Sequence, residues 1–316
     1  MDIFYILIGF VLLVIGGEFL VRSSVAMSLK FSISKAVIGL TIVSFATSAP
    51  ELIVSLNAAI KGSSDIATGN VIGSNIANIG LVLGLTALIT PMYIDKQFLK
   101  IHWPVMMLFS VVFYYFLYSN SEISLVEGII LLFLLFVYLF FLIRKQRGSN
   151  NKSVAEVEEK LHQTSYFKIV IWLLIGGAGL KFGADFLVDG AIGLAEYYEV
   201  SERIIAVSII AIGTSVPELA ASLIAALKNE KAMSVGNLIG SNIFNIASVI
   251  GITAMVKPIQ LQSQEVLTVD MVWMIGISAL LLPLALIKPK YQLKRYKGLL
   301  IFISYLVFMY VLFLRK

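Results

Sequence analysis

The chain has 316 residues, of which 59% are hydrophobic and 14% are charged, and its formal net charge is +5. A soluble domain carries about 25% charged residues, so this chain has too few charges to cover a soluble fold of its size. The composition excludes soluble enzymes and nucleic-acid-binding proteins, the absence of cysteine excludes disulfide scaffolds, and an integral membrane protein is predicted.

Ten apolar runs follow one another along the chain, each about long enough to cross a bilayer as a helix. They cover residues 3–28, 36–60, 67–90, 101–117, 123–143, 167–194, 204–227, 233–256, 267–287 and 298–314. The predicted fold class is therefore an all-α integral membrane protein with about ten transmembrane helices.

One extended polar stretch, residues 144–166, separates the fifth run from the sixth. We interpret it as a solvated linker, with a regulatory ligand site as the alternative. It divides the chain into a first five-helix repeat, residues 1–143, and a second five-helix repeat, residues 167–316.

The two repeats carry the same polar motifs at a constant offset of 167 residues. A first motif, TSAPE, stands at 47–51 and recurs as TSVPE at 214–218. A second motif, GNVIGSNIAN, stands at 69–78 and recurs as GNLIGSNIFN at 236–245. Apolar composition alone does not place a proline, an acid and three asparagines in register, so the chain contains an internal duplication. Because each copy has an odd number of helices, the second copy is predicted to enter the membrane inverted.

The basic residues predict the orientation, since cytoplasmic loops of membrane proteins are rich in Lys and Arg. If the 144–166 linker is cytoplasmic, four other loops on its side carry most of the remaining basic residues: Lys30, Lys35, Lys96, Lys100, Lys228, Lys231, Lys288, Lys290, Lys294, Arg295 and Lys297. We therefore expect a cell-membrane protein with a cytoplasmic linker and with both termini outside.

Glu51 and Glu218 occupy matching places in the second and seventh runs. A charged side chain at the bilayer centre costs about 2.5–3.5 kcal/mol on insertion scales, so a carboxylate there needs a positive partner. The second, third, seventh and eighth runs contain no Lys or Arg. A structural ion pair with Arg22 or Lys181, on other helices, is one alternative, and we predict instead that a metal cation balances the two acids.

Oxygen-bearing residues accompany each glutamate. Thr47 and Ser48 precede Glu51 by four and three residues, so all three share one helix face. Pro50 cannot donate a hydrogen bond to the carbonyl four residues earlier, which leaves that oxygen available. The second copy repeats this arrangement with Thr214, Ser215, Pro217 and Glu218.

The third run supplies a second group of oxygen ligands. Ser74 and Asn78 are four residues apart and share a helix face, as do Ser241 and Asn245 in the eighth run. Hydroxyl, amide and carboxylate oxygens suit Ca²⁺, Mg²⁺ or Na⁺ and do not suit copper or zinc. For four other asparagines, ligation and interhelical hydrogen bonding remain open alternatives: Asn70, Asn75, Asn237 and Asn242.

These motifs resemble the alpha repeats of the calcium/cation antiporter superfamily, the sodium/calcium exchangers, whose hallmark is G-T-S-x-P-E followed by G-N-x-x-G-S-N. Residues 213–218 match it fully, and the first copy has Ala46 in place of its glycine. The resemblance implies a five-plus-five inverted-repeat fold, ion sites between helices two, three, seven and eight, and a sliding movement of the first and sixth helices. The ligands that it implies are Glu51, Glu218, Asn78, Asn245, Ser48, Ser215, Ser74, Ser241, Thr47 and Thr214, with backbone carbonyls near Ser44 and Ala211.

The expected function is secondary active antiport, with Na⁺ exchanged for Ca²⁺ by alternating access at a midplane site. The ions are transported substrates, so no resident cofactor and no enzymatic activity are expected. The lipid bilayer is the expected partner, nucleic acid is not, and a monomer would suffice. Asn78 and Asn245 are neutral, so the two glutamates supply two formal negative charges, which balance one Ca²⁺ or two Na⁺. The alternatives are exchange of H⁺ for Ca²⁺, exchange of Mg²⁺, and a cation channel.

Overall fold

The computed structural model describes residues 2–146, 161, 163–198 and 211–314. Most of the predicted linker, 144–166, lies outside these residues, as do the start of the seventh apolar run at 204–210, Arg315 and Lys316.

The described chain is helical apart from four strands of two residues each. Its helices are α1 (Asp2–Phe31), α2 (Lys35–Thr47), α3 (Ala49–Ile60), α4 (Ser64–Ile89), α5 (Phe98–Asn120), α6 (Leu125–Gln146), α7 (Tyr166–Tyr197), α8 (Ala211–Gly213), α9 (Val216–Leu227), α10 (Lys231–Val256), α11 (Val266–Leu286) and α12 (Arg295–Leu314).

Eight of these helices are long and apolar enough to span a membrane within the part of the chain that the structure describes. The helices α2 and α3, interrupted at Ser48, make a ninth span if they count as one. The twelve-residue α9 is a shorter apolar helix. The predicted class, a helical protein that crosses the membrane several times, is therefore confirmed.

Five helical turns among the described residues are widened to the π form, in which the backbone hydrogen bond skips one more residue than in an α-helix. They are Gly39–Val43, Asn78–Leu83, Phe98–His102, Asn245–Ile250 and Val266–Asp270. Two of them begin at Asn78 and Asn245, the asparagines predicted as ligands. Such turns occur frequently at functional sites.

The chain forms two compact units. Unit 1 comprises Met1–Thr47 and Phe141–Asn237, and unit 2 comprises Ser48–Phe140 and Leu238–Lys316. Each unit contains segments of both sequence repeats, so the boundaries of the compact units differ from those of the repeats.

In unit 1, α1 packs along α7 through a seam of glycines. A methyl group added at Gly16 would lie 2.5 Å from the backbone nitrogen of Leu180, and one at Gly183 would lie 2.8 Å from that of Leu13. The two backbones therefore approach more closely than any residue with a Cβ allows. The apolar core of this unit joins the seam to α9 and includes Leu20, Val25, Leu180, Ala221, Ala225 and Met233.

In unit 2, the two repeats contribute equivalent elements. The strands β1 (Met92–Tyr93), β2 (Glu122–Ile123), β3 (Ile259–Gln260) and β4 (Gln292–Leu293) form two antiparallel pairs, β1 with β4 and β2 with β3. Since β3 repeats β1 and β4 repeats β2 along the sequence, exchanging the two copies maps one pair onto the other. The same relation holds where Gly84 of α4 meets α12 and where Gly251 of α10 meets α6.

Candidate ion-binding residues

Glu51 lies in the first turn of α3 in unit 2, three residues after the break at Ser48. Ser48 has φ −85° and ψ 2°, and Pro50 stands at the start of the helix, where its missing N–H interrupts no hydrogen bond. The Glu51 side chain is 0% exposed. Neither of its carboxylate oxygens has a hydrogen-bond partner among the described residues, although the Ser74 side chain approaches it. The turn at Ser48 thus places an acid at a helix N-terminus, where the helix dipole favours negative charge.

The other predicted ligands of unit 2 lie on α4 and α10, which pack against α3 and against each other. All of them are buried. Within the described chain, the hydroxyl of Ser74 and the amide oxygens of Asn78 and Asn245 have no hydrogen-bond partner, and the same holds for the hydroxyl of Ser48. Oxygens that lack donors in a buried site are suited to coordinate a cation. Unit 2 therefore brings together Ser48, Glu51, Ser74, Asn78, Ser241 and Asn245.

Glu218 lies in unit 1, in the first turn of α9, and repeats the local structure of Glu51. Ser215 has φ −90° and ψ 2°, almost the angles of Ser48, and a proline again follows in the first turn. Glu218 is 0% exposed and Ser215 is 1% exposed. The end of α2 packs against α9 and supplies Thr47, whose hydroxyl lies 3.4 Å from the Asn237 amide oxygen. Unit 1 therefore brings together Thr47, Thr214, Ser215 and Glu218.

The basic residues that the sequence offered as alternative partners bind other acids. Arg22 contacts Glu18 at 3.3 Å, and Lys181 contacts Asp185 at 2.6 Å, in both cases on the same helix. Lys228 also binds Glu18, at 2.5 Å. Within the described residues, no Lys or Arg forms an ion pair with Glu51. For Glu51, the structure thus removes the structural ion pair that was the alternative to a metal cation.

Asn70 and Asn237 act as interhelical hydrogen-bond donors. The Asn70 amide donates to the Ser55 hydroxyl at 2.9 Å and to the Glu51 carbonyl at 3.2 Å. The Asn237 amide donates to the Ser222 hydroxyl at 3.0 Å, which is the same contact in the second copy. These bonds hold α4 against α3 and α10 against α9. For this pair the structure supports the hydrogen-bonding alternative.

One feature of the candidate site could not be predicted from the sequence. The π turns at Asn78 and Asn245 leave no mark in the apolar pattern. Among the described residues, no group of three or more His, Cys, Asp or Glu side chains converges as a conventional metal centre. A cation here would therefore be held largely by hydroxyl, amide and carbonyl oxygens, a donor set that suits an ion in transit more than a tightly held cofactor.

Comparison with known proteins gives consistent matches over the whole length. The family model described as "Sodium/calcium exchanger protein" matches residues 1–144 and 168–314. The putative antiporter CaxA of Alkalimonas amylolytica is 36% identical over 312 residues, which cover 98% of each chain. The sodium/calcium exchanger MaX1 of Methanosarcina acetivorans is 31% identical over 344 aligned residues, covering 98% of this chain and 97% of the relative. A solved structure of the sodium-calcium exchanger NCX_Mj superposes with a TM-score of 0.82 at 32% identity and covers 98% of each chain.

Proposed function

This chain belongs to the sodium/calcium exchanger protein family, and on that premise we propose that it is a secondary active antiporter that exchanges Na⁺ for Ca²⁺. The observation that carries the proposal is the Glu51 carboxylate, which is fully buried and has no hydrogen-bond partner among the described residues. A buried ionised carboxylate costs several kcal/mol unless a positive charge or hydrogen bonds compensate it. A cation that enters and leaves supplies that compensation.

The proposed ligands are the two glutamates and the oxygen-bearing residues of both motifs. Ca²⁺ takes six to eight oxygen ligands. Each unit gathers carboxylate and hydroxyl oxygens, and unit 2 adds the amide oxygens of Asn78 and Asn245. Two carboxylates balance one Ca²⁺ or two Na⁺, so the same oxygens serve either ion in turn. The full set is Glu51, Glu218, Asn78, Asn245, Ser48, Ser215, Ser74, Ser241, Thr47 and Thr214.

Coupling follows from the charge of the empty site. Without a cation, the buried Glu51 carboxylate lacks a compensating charge, and moving it to apolar surroundings is costly. Binding of Ca²⁺ or Na⁺ cancels this charge and permits the conformational change. In this proposal α1 and α7 move together, since their glycine seam joins them closely, and they alternate access to the ligands.

The membrane arrangement is part of the proposal. Ten transmembrane helices form two inverted repeats, residues 1–143 and 167–316, with the 144–166 linker in the cytoplasm and both termini outside. The 167-residue offset supports the duplication, because it is matched by helices of equal length, twelve residues in α3 and α9. A monomer in a lipid bilayer would suffice for transport.

The test is uptake of radiolabelled Ca²⁺ into liposomes that contain the purified protein. We expect uptake when Na⁺-loaded liposomes are diluted into Na⁺-free medium, and none when Na⁺ is equal on both sides. Uptake driven by a pH gradient in the absence of Na⁺ would show that H⁺, and not Na⁺, is the coupling ion. Uptake that needs no counter-ion would point to a channel and contradict antiport.

A further inference from the structure

We propose that Asn75 and Asn242 are positioning residues, which fix the side-chain amides of Asn245 and Asn78 so that only their oxygens are available to a cation. The proposal deepens the proposed function, because it rests on Asn78 and Asn245 being ion ligands. All four asparagines belong to unit 2 and are buried, with at most 1% of each residue exposed.

The backbone carbonyl of Asn242 fixes the orientation of the Asn75 side-chain amide. The Asn75 Nδ2 donates to the backbone oxygen of Asn242 at 3.2 Å. A carbonyl oxygen only accepts hydrogen bonds, so the nitrogen of the Asn75 amide must face it. The Asn75 Oδ1 then points the other way and accepts a hydrogen bond from the Asn245 Nδ2 at 3.1 Å. With its nitrogen engaged, Asn245 keeps a buried Oδ1 that has no hydrogen-bond partner within the described chain.

The second copy repeats every step. The Asn242 Nδ2 donates to the backbone oxygen of Asn75 at 3.1 Å, and the Asn242 Oδ1 accepts from the Asn78 Nδ2 at 3.1 Å. The Asn78 Oδ1 is left buried and without a hydrogen-bond partner among the described residues. Two independent side-chain pairs thus reach the same outcome, an amide with its nitrogen used and its oxygen free.

The orientation matters because the two ends of an amide are nearly the same in shape and opposite in polarity. An oxygen binds a cation, whereas an NH₂ group turned into the same position presents two hydrogens and repels it. The Asn242 carbonyl therefore orients the Asn245 amide through the Asn75 side chain, and the Asn75 carbonyl orients the Asn78 amide through the Asn242 side chain. In both cases the amide oxygen is the atom available to a cation. Residues that orient metal ligands in this way typically change metal affinity when they are mutated.

We call these two hydrogen-bond chains the relay: one runs from the Asn242 carbonyl through Asn75 to Asn245, and the other from the Asn75 carbonyl through Asn242 to Asn78. The relay also favours a neutral side chain at position 245. A carboxylate at position 245 would place an oxygen where the Asn245 Nδ2 now donates to the Asn75 Oδ1. Asn75 would have to turn its amide over and lose its bond to the Asn242 carbonyl. The relay in its present form thus fits a neutral Asn245 and keeps the ligand set at two carboxylates.

A double-mutant cycle tests the relay by equilibrium binding of radiolabelled Ca²⁺ to purified protein in Na⁺-free detergent solution. Asn75→Leu removes the acceptor for the Asn245 amide at nearly constant volume and should weaken Ca²⁺ binding by about tenfold to a hundredfold. In an Asn245→Asp background the same change should have little effect, because a carboxylate offers an oxygen in either orientation. Met274→Leu is the control: it removes the weak sulfur acceptor that lies 3.7 Å from the Asn75 Nδ2 and leaves the Asn242 carbonyl in place, so it should change Ca²⁺ affinity much less than Asn75→Leu.

An equal loss of affinity in the wild-type and Asn245→Asp backgrounds, within about the twofold margin expected for independent effects, would overturn the relay and leave Asn75 a packing role. If Asn75→Leu does not fold, Asn242→Leu tested with Asn78→Asp carries the same cycle on the other copy. The binding assay uses Ca²⁺ alone, so it does not depend on Na⁺-driven uptake. A wild-type protein that binds Ca²⁺ but shows no Na⁺-driven uptake would refute the proposed function, and the mutant cycle would still test the relay. A wild type that binds no Ca²⁺ would overturn both.

Discussion

The substitution Glu51→Gln should stabilise the ion-free protein. Glu51 is 0% exposed and, among the described residues, has neither a hydrogen-bond partner nor a basic partner. Burial of an uncompensated carboxylate costs several kcal/mol. Glutamine has nearly the same shape and no charge, although its buried amide still costs about 1–3 kcal/mol when it is unsatisfied. The difference predicts a gain of about 2 kcal/mol in the free energy of unfolding without ions.

Ca²⁺ should reverse the order of stability of the wild type and Glu51→Gln. A ligand at a hundred times its Kd stabilises the protein that binds it by about 2.7 kcal/mol, and the wild type should gain this amount. Glu51→Gln removes one of the two proposed carboxylate ligands, so its gain should be close to zero. The variant is therefore the more stable protein without Ca²⁺ and loses that advantage when Ca²⁺ is added.

The assay is thermal unfolding of the purified protein in detergent, in Na⁺-free buffer with a chelator and then with Ca²⁺. Glu265→Gln is the matched control, since Glu265 is exposed and should behave as wild type in both buffers. The reasoning is refuted if Glu51→Gln lowers the Tm of the ion-free protein, or if it keeps the full Ca²⁺-induced rise.

Three further predictions concern packing and pH. Gly16→Ala should destabilise the protein by about 1–3 kcal/mol through overpacking, because its methyl group would lie 2.5 Å from the Leu180 nitrogen. Gly177→Ala is the control, because Gly177 lies in the same helix pair and its added methyl would have no neighbouring atom within 4 Å. It should be neutral or stabilising by about 0.5–1 kcal/mol. Equal Tm values for the two variants would contradict close backbone packing at Gly16. Lys297→Met should cost about 3 kcal/mol, because the buried Lys297 ammonium donates to three backbone carbonyls at 2.6, 2.9 and 3.0 Å. The exposed Lys294→Met is its control, and a comparable loss there would refute the stabilising role of the three Lys297 hydrogen bonds. Acidification should slow exchange, because protons compete with cations for the two glutamates, and a rate that is flat from mildly alkaline to mildly acidic pH would argue against carboxylate ligands.

The sequence predicts much of the local structure around the two motifs. The recurrence of Thr-Ser-x-Pro-Glu predicts equivalent local structure in the two copies, and Ser48 and Ser215 indeed share nearly identical backbone angles. The sequence does not predict the break itself: it favours Thr47, Ser48 and Glu51 on one face of a continuous helix, whereas α2 ends at Thr47 and α3 begins at Ala49. The burial of Glu51 and Glu218 also follows from their place in apolar runs. These features could be predicted because proline and a charged residue in an apolar run each have strong local effects.

Other features depend on packing, which the sequence does not specify. The π turns at Asn78 and Asn245 leave the apolar pattern unchanged. The direction of the Asn75 and Asn242 amides is decided by carbonyls on a neighbouring helix, so no spacing rule predicts it. The strands at Met92–Tyr93 and Gln292–Leu293 are too short to give a period-two signal. The role of the linker and the count of ten helices stay predictions.

Glu51 and Glu218 are the proposed carboxylate ligands of the transported cations, and Na⁺-driven Ca²⁺ uptake into liposomes shows whether transport needs them. Wild type, Glu51→Gln, Glu218→Gln and the exposed control Glu265→Gln should be compared at equal protein content. We expect both buried variants to take up no more Ca²⁺ than protein-free liposomes, and the control to match the wild type. Wild-type uptake by either buried variant would contradict it.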